Sequence, residues 1–438
     1  MKKYILLITL CIFSLCTIHA EITWTLSGDG TLTISGTDMP DYKYDDYWEE
    51  VMDVPWYSQK DKIKKIVIEN GVKNIGNRAF YECKALTSVN IPNSVTNIGD
   101  LAFYKCSGLT SISIPNSVTN IGGSAFAYCK GLTSVTIPNS VTNIGDWAFY
   151  KCSGLTSISI PNSVTSIGGM AFYDTKWYDN QPIGLVYAGL VLYRNKNYKN
   201  AIIVIKEGTK GIAGGAFKET YGFTSVIIPN SVTNIGDEAF RGCFDLTSIT
   251  IPNSVTDIGR YAFSGCVHLS SVTLGNSVTK IEEGVFHQCE RLKSINIPNS
   301  VTTIGEKAFY GCKRLASVTI PESVTTIGKY AFRECTYLSS ITIFATIPPN
   351  FTPRADSFDN KFPYSYGTLH VLPGYKAIYE HAEIWHFFTI VEDATTGIND
   401  VYGSATNSVD KIFSTSGQRL NKVGKGVNII NGKKVLSK

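Results

Sequence analysis

The sequence predicts a solenoid: a curved, mostly β stack of 23-residue turns, with a parallel sheet on one face, short helical turns opposite and a cap at each end. Three observations predict it. The stretches Ile91–Ser113 and Ile137–Ser159 are identical except for Leu101 against Trp147. An Ala-Phe or Val-Phe pair recurs at Phe80, Phe103, Phe126, Phe149, Phe172, Phe217, Phe240, Phe263, Phe286, Phe309 and Phe332. Nine cysteines (Cys83, Cys106, Cys129, Cys152, Cys243, Cys266, Cys289, Cys312 and Cys335) keep the same spacing outside one gap. Self-similarity at a fixed short period marks an array whose copies pack on their neighbours.

Within a turn the apolar positions are fixed at Leu86, Val89, Ile91, Val95, Ile98, Ala102, Phe103 and Cys106. Val89 and Ile91 alternate with Ser88 and Asn90, the pattern of a strand with one buried face. A period of this length with one short strand per turn is that of a leucine-rich-repeat solenoid. Pro92 has no N–H for a ladder and ends the strand. Gly99 marks a corner, but Ala213 and Glu282 hold the same place, so the corner does not require a left-handed backbone. Gly99–Cys106 reads as a short helical turn on the far side. Asn70, Asn93, Asn116, Asn139, Asn162, Asn230, Asn253, Asn276 and Asn299 recur at one corner, as a hydrogen-bonded stack or as turn residues. The eleven phenylalanines are the expected core, each covering the apolar edge of the next turn.

The array is expected over residues 63–343, with one interruption. Ile160 and Ile205 share a register but lie 45 residues apart, one short of two turns. The insertion, 174–200, contains "LVYAGLVLY", a hairpin with Ala188-Gly189 at its tip. A degenerate extra turn is the alternative, although the segment lacks the Phe and the Cys. An aromatic hairpin on the rim could meet a partner or brace the stack, and bracing is the favoured reading. The N-terminal cap, 21–62, opens with a hairpin turning at Gly28-Asp29-Gly30. Six acids between Asp38 and Glu50 lack calcium-loop spacing and read as a solvated loop. The C-terminal cap, 344–392, reads as a strand and a helix from about Tyr375 to Phe387, with Ile378, Ala382 and Trp385 inward. A linker (393–410) and a glycine-punctuated tail (411–438) follow.

Composition excludes several functions. The net charge is +4, and no Lys/Arg cluster is dense enough for a nucleic-acid track. Residues 1–20 carry Lys2 and Lys3, an apolar run from Tyr4 to about Cys16 and an exit at Ala20, which reads as a secretory signal peptide. Lipidation at Cys11 or Cys16 is the rival reading, but each follows a Leu where a small residue is expected. No later stretch resembles a membrane span, so the expected location is secreted or at the outer cell surface. An odd, evenly spaced cysteine set is not a disulfide framework, and without C-x-x-C or suitably spaced histidines no metal is expected. The bland reading is a small, weakly polar filler. His381 and His386 lie five apart, the wrong spacing for a metal pair on one helix face. There is no G-x-S-x-G, phosphate loop or H-E-x-x-H. Neither catalysis nor a cofactor is expected.

Recognition remains. Outward strand positions are short and neutral, such as Ser88, Ser111, Ser134, Thr136, Ser248 and Thr250. Variation concentrates beside the Ala-Phe pair, in slots such as Asp100-Leu101, Asp146-Trp147, Arg260-Tyr261 and Lys329-Tyr330, then Tyr104-Lys105 and Tyr150-Lys151. Leu101 and Trp147 differ, on this reading, because their slot points outward where the stack imposes little. The candidate ligand-binding surface is therefore a convex-side stripe of Tyr104, Tyr128, Trp147, Tyr150, Tyr261 and Tyr330; drift at unconstrained positions is the alternative.

The cap "WTLSGDGTLTISGT", the "IPNSVTNIG" turns with their Ala-Phe and Cys, the "GLVYAGLVLY" island and the closing "LHVLPGYKAIYEH" together resemble the BspA-type leucine-rich repeat family of bacterial surface proteins, over roughly Trp24 to Val391. The resemblance implies a surface or secreted molecule, in a family where several members are adhesins that bind host matrix proteins such as fibronectin. The partner it implies is a host extracellular matrix protein or a surface glycan. The tail, with "STSGQRL", "KGVNII" and "GKKVLSK", is similar to C-terminal sorting tails of Bacteroidota proteins handled by type IX secretion. The expected function is exported, non-catalytic protein or glycan binding. A passive structural or envelope repeat protein is the alternative, and a carbohydrate-active enzyme a more remote one.

Overall fold

The computed structural model describes residues 22–43, 53–197, 200–351, 367–382 and 384–392, with four short strands between 412 and 437. The expected signal peptide, the linker and the acids Asp45, Asp46, Glu49 and Glu50 lie outside the described residues. We number the turns 1 to 11 by their phenylalanines, Phe80 to Phe332.

Each turn carries two short strands, and each strand pairs in parallel with its counterpart one turn away. In the first ladder Ser111, Ile112 and Ser113 lie beside Ser134, Val135 and Thr136. The alternation works as the sequence predicts, with Ile112 buried and both serines exposed. The second ladder, two residues per turn, aligns Asn97-Ile98 with Asn120-Ile121 and then Asn143-Ile144. It was not expected from the sequence, because two residues are too few for a period to show. Between the strands Val95 N–H donates to the Pro92 carbonyl at 3.1 Å, closing a β-turn with Asn93 and Ser94 at its centre. The asparagines after proline are thus turn residues. The amide ladder belongs to the other series: Asn120 Nδ2 donates to Asn97 Oδ1 at 2.9 Å and Asn143 Nδ2 to Asn120 Oδ1 at 2.7 Å.

The far side corrects the expectation of helical turns. Among the described residues the only α-helices are Lys176–Asp179 and Lys376–Glu380, and neither belongs to a regular turn. Instead, N–H groups alternate between local and inter-turn acceptors. Those of Ala102, Tyr104 and Cys106 reach back three residues, to Gly99, Leu101 and Phe103. Those of Leu101, Phe103 and Lys105 cross to Gly123, Ala125 and Ala127 of the next turn. A helix would satisfy only itself; this arrangement satisfies the backbone while tying each turn to its neighbour. The corner glycines serve the same closeness, since a Cβ on Gly145 would sit 2.5 Å from Gly123 N.

The phenylalanines stack. Phe80, Phe103, Phe126, Phe149 and Phe172 follow one another at ring separations from 5.1 to 5.7 Å, and Phe217 to Phe332 at 4.9 to 5.7 Å. All are fully buried. Offset rings at this spacing add attraction beyond the area they remove from water. The nine cysteines are free and buried beside them. Eight of their thiols donate to the phenylalanine carbonyl of the preceding turn, for example Cys152 Sγ to Phe126 at 3.0 Å. Thr175 and Thr220 hold the slot beside the interruption.

The insertion joins two stacks. Its hairpin pairs Gly184–Ala188 with Val191–Lys196, so the tip is Gly189-Leu190 and not Ala188-Gly189. The hairpin is not a rim feature, because Val191, Leu192 and Tyr193 are buried and Val191-Leu192 pair in parallel with Gly211-Ile212. In regular turns a phenylalanine N–H reaches the alanine carbonyl one turn on. Here Phe172 N–H donates to the Tyr193 hydroxyl at 2.9 Å, and Asn195 N–H donates to the Ala216 carbonyl at 2.8 Å. The hairpin thus supplies the acceptor and the donor that the missing contact leaves open.

At the N-terminal end the hairpin Thr23–Leu26 and Thr31–Ser35 lies beside Lys65–Ile68. Trp56 stacks on Phe80 at 5.8 Å. At the other end Thr368–Val371 and Thr389–Glu392 extend the first ladder in parallel. The predicted long cap helix is instead Lys376–Glu380 and a 3-10 turn, Trp385–Phe387, separated by Ile384 with φ of 71°. Breaking there rotates the faces: Ile378 is exposed, while Tyr379 and Trp385 are buried. In the tail, Arg419–Leu420, Ile412–Ser414, Gly426–Ile430 and Lys433–Ser437 form one antiparallel sheet in that order.

Candidate binding surface

The variable slots lie on either side of the phenylalanine stack. The backbone is left-handed in the first slot of every turn, with φ of 58° at Leu101, 54° at Trp147, 54° at Tyr261 and 59° at Tyr330. The second slot is left-handed too, at Lys105, Tyr128, Lys151 and Glu334. This corrects the expectation that the stack imposes little there. It tolerates many side chains but demands a backbone that disfavours all except glycine, by about 1–2 kcal/mol. Gly215 and Gly284 fill the first slot, and Gly242, Gly265 and Gly311 the second, where that demand is met without strain. The turn swings these side chains out, and Trp147 keeps 49 % of its surface exposed.

Aspartates in front of this slot are also constrained. Asp100 Oδ1 accepts from Gly123 N–H at 2.6 Å, Asp146 Oδ1 from Gly169 N–H at 2.5 Å and Asp237 Oδ1 from Arg260 N–H at 2.8 Å. The side chain therefore takes part in the inter-turn ladder.

Three predicted residues come together in one file. Tyr104 meets Tyr128 at 5.4 Å, and Tyr128 meets Tyr150 at 5.6 Å, both edge-on. The file runs further than predicted, from Tyr81 on Tyr104 at 4.9 Å to Tyr173 beside Tyr150 at 6.1 Å and on to Tyr178. The sequence signal for Tyr81 and Tyr173 was the position directly after the phenylalanine, which they share with Tyr104 and Tyr150. Lys105 lies over Tyr104 at 5.2 Å, and Lys151 approaches both Tyr128 and Tyr150. The Lys151 ammonium is held above its ordinary range, first by its hydrogen bond to Tyr150 and then by the neighbouring ring hydroxyls. Trp147 stands beside this file and makes no ring contact among the described residues.

Tyr261 and Tyr330 do not join it. They lie beyond the insertion, where the same slots are occupied by internal pairs. Tyr261 donates to Glu283, Tyr310 donates to Glu334, and Lys218 meets Glu238 at 2.6 Å. The Tyr330 ring is covered by Lys329 at 4.6 Å and Arg333 at 4.9 Å. Turns 1–5 therefore carry the continuous tyrosine file, whereas the rings of turns 6–11 fall into shorter runs, Tyr261–His287–Tyr310 and the exposed pair Tyr221–Phe244, with Tyr261 and Tyr310 bonded to carboxylates.

No three or more His, Cys, Asp or Glu side chains are grouped to hold a metal among the described residues. Cys83 and Cys266 are the opposite of activated, since burial pushes their thiols up to about 12. No helix among the described residues is long and apolar enough to cross a membrane.

Comparison with solved structures returns leucine-rich-repeat proteins. One from Eubacterium ventriosum is 26% identical, over 77% of this chain and 91% of its own, with a TM-score of 0.40. One from Bacteroides ovatus is 26% identical over 85% and 98%, with a TM-score of 0.36. A leucine-rich cell surface protein from Faecalibacterium prausnitzii is 30% identical over 73% and 92%, with a TM-score of 0.33. No curated protein matches the chain. Residues 55–178 and 198–348, more than half of the chain, match the BspA type leucine-rich repeat region in six copies. With that match on the same residues that build the stacked turns, the chain belongs to the BspA-type leucine-rich-repeat family.

Proposed function

We propose that this protein is exported, resides at or beyond the outer cell surface, and works without catalysis by contacting a host matrix protein through the aromatic side of turns 1–5. The carrying observation is Trp147, an exposed indole set beside half-buried tyrosines with lysines over their rings. Binding energy concentrates in such anchors when neighbouring rings exclude water around them. The family and the description of the Faecalibacterium protein as a cell surface protein support the location. The signal-like N-terminus supports export. The non-catalytic reading is supported by buried, raised thiols and by charged side chains engaged in pairs.

The test is retention of the purified protein on immobilised host matrix proteins, fibronectin among them. Joint replacement of Trp147, Tyr150 and Tyr128 by alanine is expected to abolish retention, while replacing Ser111 and Ser134 by alanine leaves it intact. The reverse pattern moves the site to the Ser/Thr face. Retention on none of them favours a passive envelope component.

A further inference from the structure

The second strand ladder carries a polar side chain at Asn97, Asn120, Asn143 and Ser166, and again at Asn234, Asp257 and Lys280. Between Ser166 and Asn234 the place is held by Gly211. Every residue from Gly211 to Gly215 is buried, because the chain leaving the insertion is drawn inward. A Cβ on Gly211 would lie 2.1 Å from the Thr165 carbonyl oxygen, and one on Gly214 2.6 Å from Gly169 N. Turn 6 is therefore recessed, and the flanking turns stand around a hollow of about 850 Å³.

The walls have a definite chemistry. Asp146 and Asp237 both line the hollow, and each spends one oxygen on the backbone N–H of the next turn. The second oxygen of each has no hydrogen-bond partner among the described residues. The Asp146 carboxyl, though its residue stays exposed, is held above its usual range, first by desolvation and then, against the pull of the Gly169 N–H, by the charges of Asp237, Glu238 and Asp100. At the far end Arg260 and Lys280 supply cations beside two further carboxylates, Asp257 and Glu282, so the lining carries four acids and two bases. Ile144, Ile167, Ile235 and Ile258 contribute backbone only, as their side chains are buried.

We propose that this hollow binds a neutral oligosaccharide laid along the axis of the stack. A peptide would find no apolar pocket to anchor it. A polyanion would meet four carboxylates; a polycation would be opposed only by Arg260 and Lys280, which makes hexalysine the competing occupant. A chain of hydroxyls fits both ends: the free carboxylate oxygens accept from it, and the Asn234 amide and the two cations donate to it. Threonines 233, 256 and 279 recur one turn apart, at roughly the 4.8 Å strand spacing, and Thr165 lies two turns before Thr233 with Lys210 between, so an extended pyranose chain would meet three successive hydroxyl oxygens. The site is separate from the tyrosine file, none of whose rings lines it.

The experiment is calorimetric titration of the full chain with xylohexaose, cellohexaose and mannohexaose. At least one is expected to bind saturably. Asp237→Asn, which keeps the acceptor for Arg260 N–H, and Asn234→Leu, which removes the amide, should each weaken binding at least about tenfold, near 1.4 kcal/mol. Tyr150→Ala should leave it unchanged, and thermal melts check that the variants are folded. No saturable binding up to about 10 mM, a range that already corresponds to negligible affinity, overturns the proposal. So does sugar binding insensitive to both substitutions, or hexalysine binding lost in Asp237→Asn, which would make the hollow a basic-peptide site.

Discussion

The indole N–H of Trp56 donates to the carbonyl of Ala79 at 2.8 Å, the acceptor that in later turns belongs to a phenylalanine one turn back. Phe80 N–H reaches Ala102 and Phe103 N–H reaches Ala125 in the same way. Turn 1 has no phenylalanine before it, so Trp56 provides both the missing ring and the missing donor. Open solenoid ends need such caps because an uncovered layer exposes apolar edge and unpaired backbone. Trp56→Phe keeps a ring on Phe80 but orphans the Ala79 carbonyl, and should destabilise by about 1–3 kcal/mol. Chemical denaturation measures this, and hydrogen exchange should show the loss concentrated in turn 1. An unchanged midpoint would place the cap elsewhere.

Tyr193 makes the equivalent repair in mid-array. Its hydroxyl accepts from Phe172 N–H while its ring packs edge-on against Phe172 at 5.3 Å. Tyr193→Phe preserves the ring and leaves a buried donor unpaired, a loss of about 1–3 kcal/mol. Stability in such arrays is a sum of turn and interface contributions, so weakening this junction should split unfolding into two transitions, turns 1–5 and turns 6–11. A single transition at the wild-type midpoint would show that the hydroxyl carries no coupling.

The first variable slot tests backbone against side chain. Leu101 and Trp147 share a left-handed conformation, so shape at Cβ matters more than polarity. Leu101→Ile conserves volume and hydrophobicity but places a branched Cβ where the carbonyl crowds it. It should lose about 1–2 kcal/mol, whereas Leu101→Asn, which tolerates this region, should lose less. Equal melting temperatures for the two variants would contradict this reading.

That slot also shows where the sequence was legible. The phenylalanine file, repeated eleven times, the cysteine file, repeated nine times, and the alternating strand are one-residue signals, and a side chain facing the same neighbour at turn after turn leaves a sharp period. Backbone conformation leaves a weaker trace. Glycines at 215, 242, 265, 284 and 311 marked the left-handed positions, but they were diluted by Leu, Trp, Tyr and Lys, which the stack forces into the same shape. The aromatic file was half legible: Tyr104, Tyr128 and Tyr150 stood out, whereas the pairing of Tyr261 with Glu283 depends on contacts between turns that no single repeat encodes. The insertion was legible as a hairpin but not as a junction, because its role rests on one hydroxyl reaching another turn.

His287 gives the pH dependence a testable sign. Its ring stacks on Tyr310 at 5.2 Å and meets Tyr261 edge-on at 6.1 Å, with Ser264 Oγ 3.3 Å from Nδ1. Burial, then the charges of Lys307 and Arg241, hold its pKa below the ordinary 6.5, while Glu334 pulls weakly the other way. The folded state thus favours the neutral ring, and the unfolded chain binds the extra proton first. Stability contributed here is complete above about pH 6.5 and declines as pH falls from there through the depressed folded value. Carboxylates elsewhere also weaken the fold in acid, so the informative quantity is a difference. His287→Gln should show a smaller stability loss between neutral pH and pH 5 than the wild type. Identical losses in the two proteins would mean that His287 titrates as it does in the unfolded chain, and that the stack of Tyr261, His287 and Tyr310 does not exclude its charge.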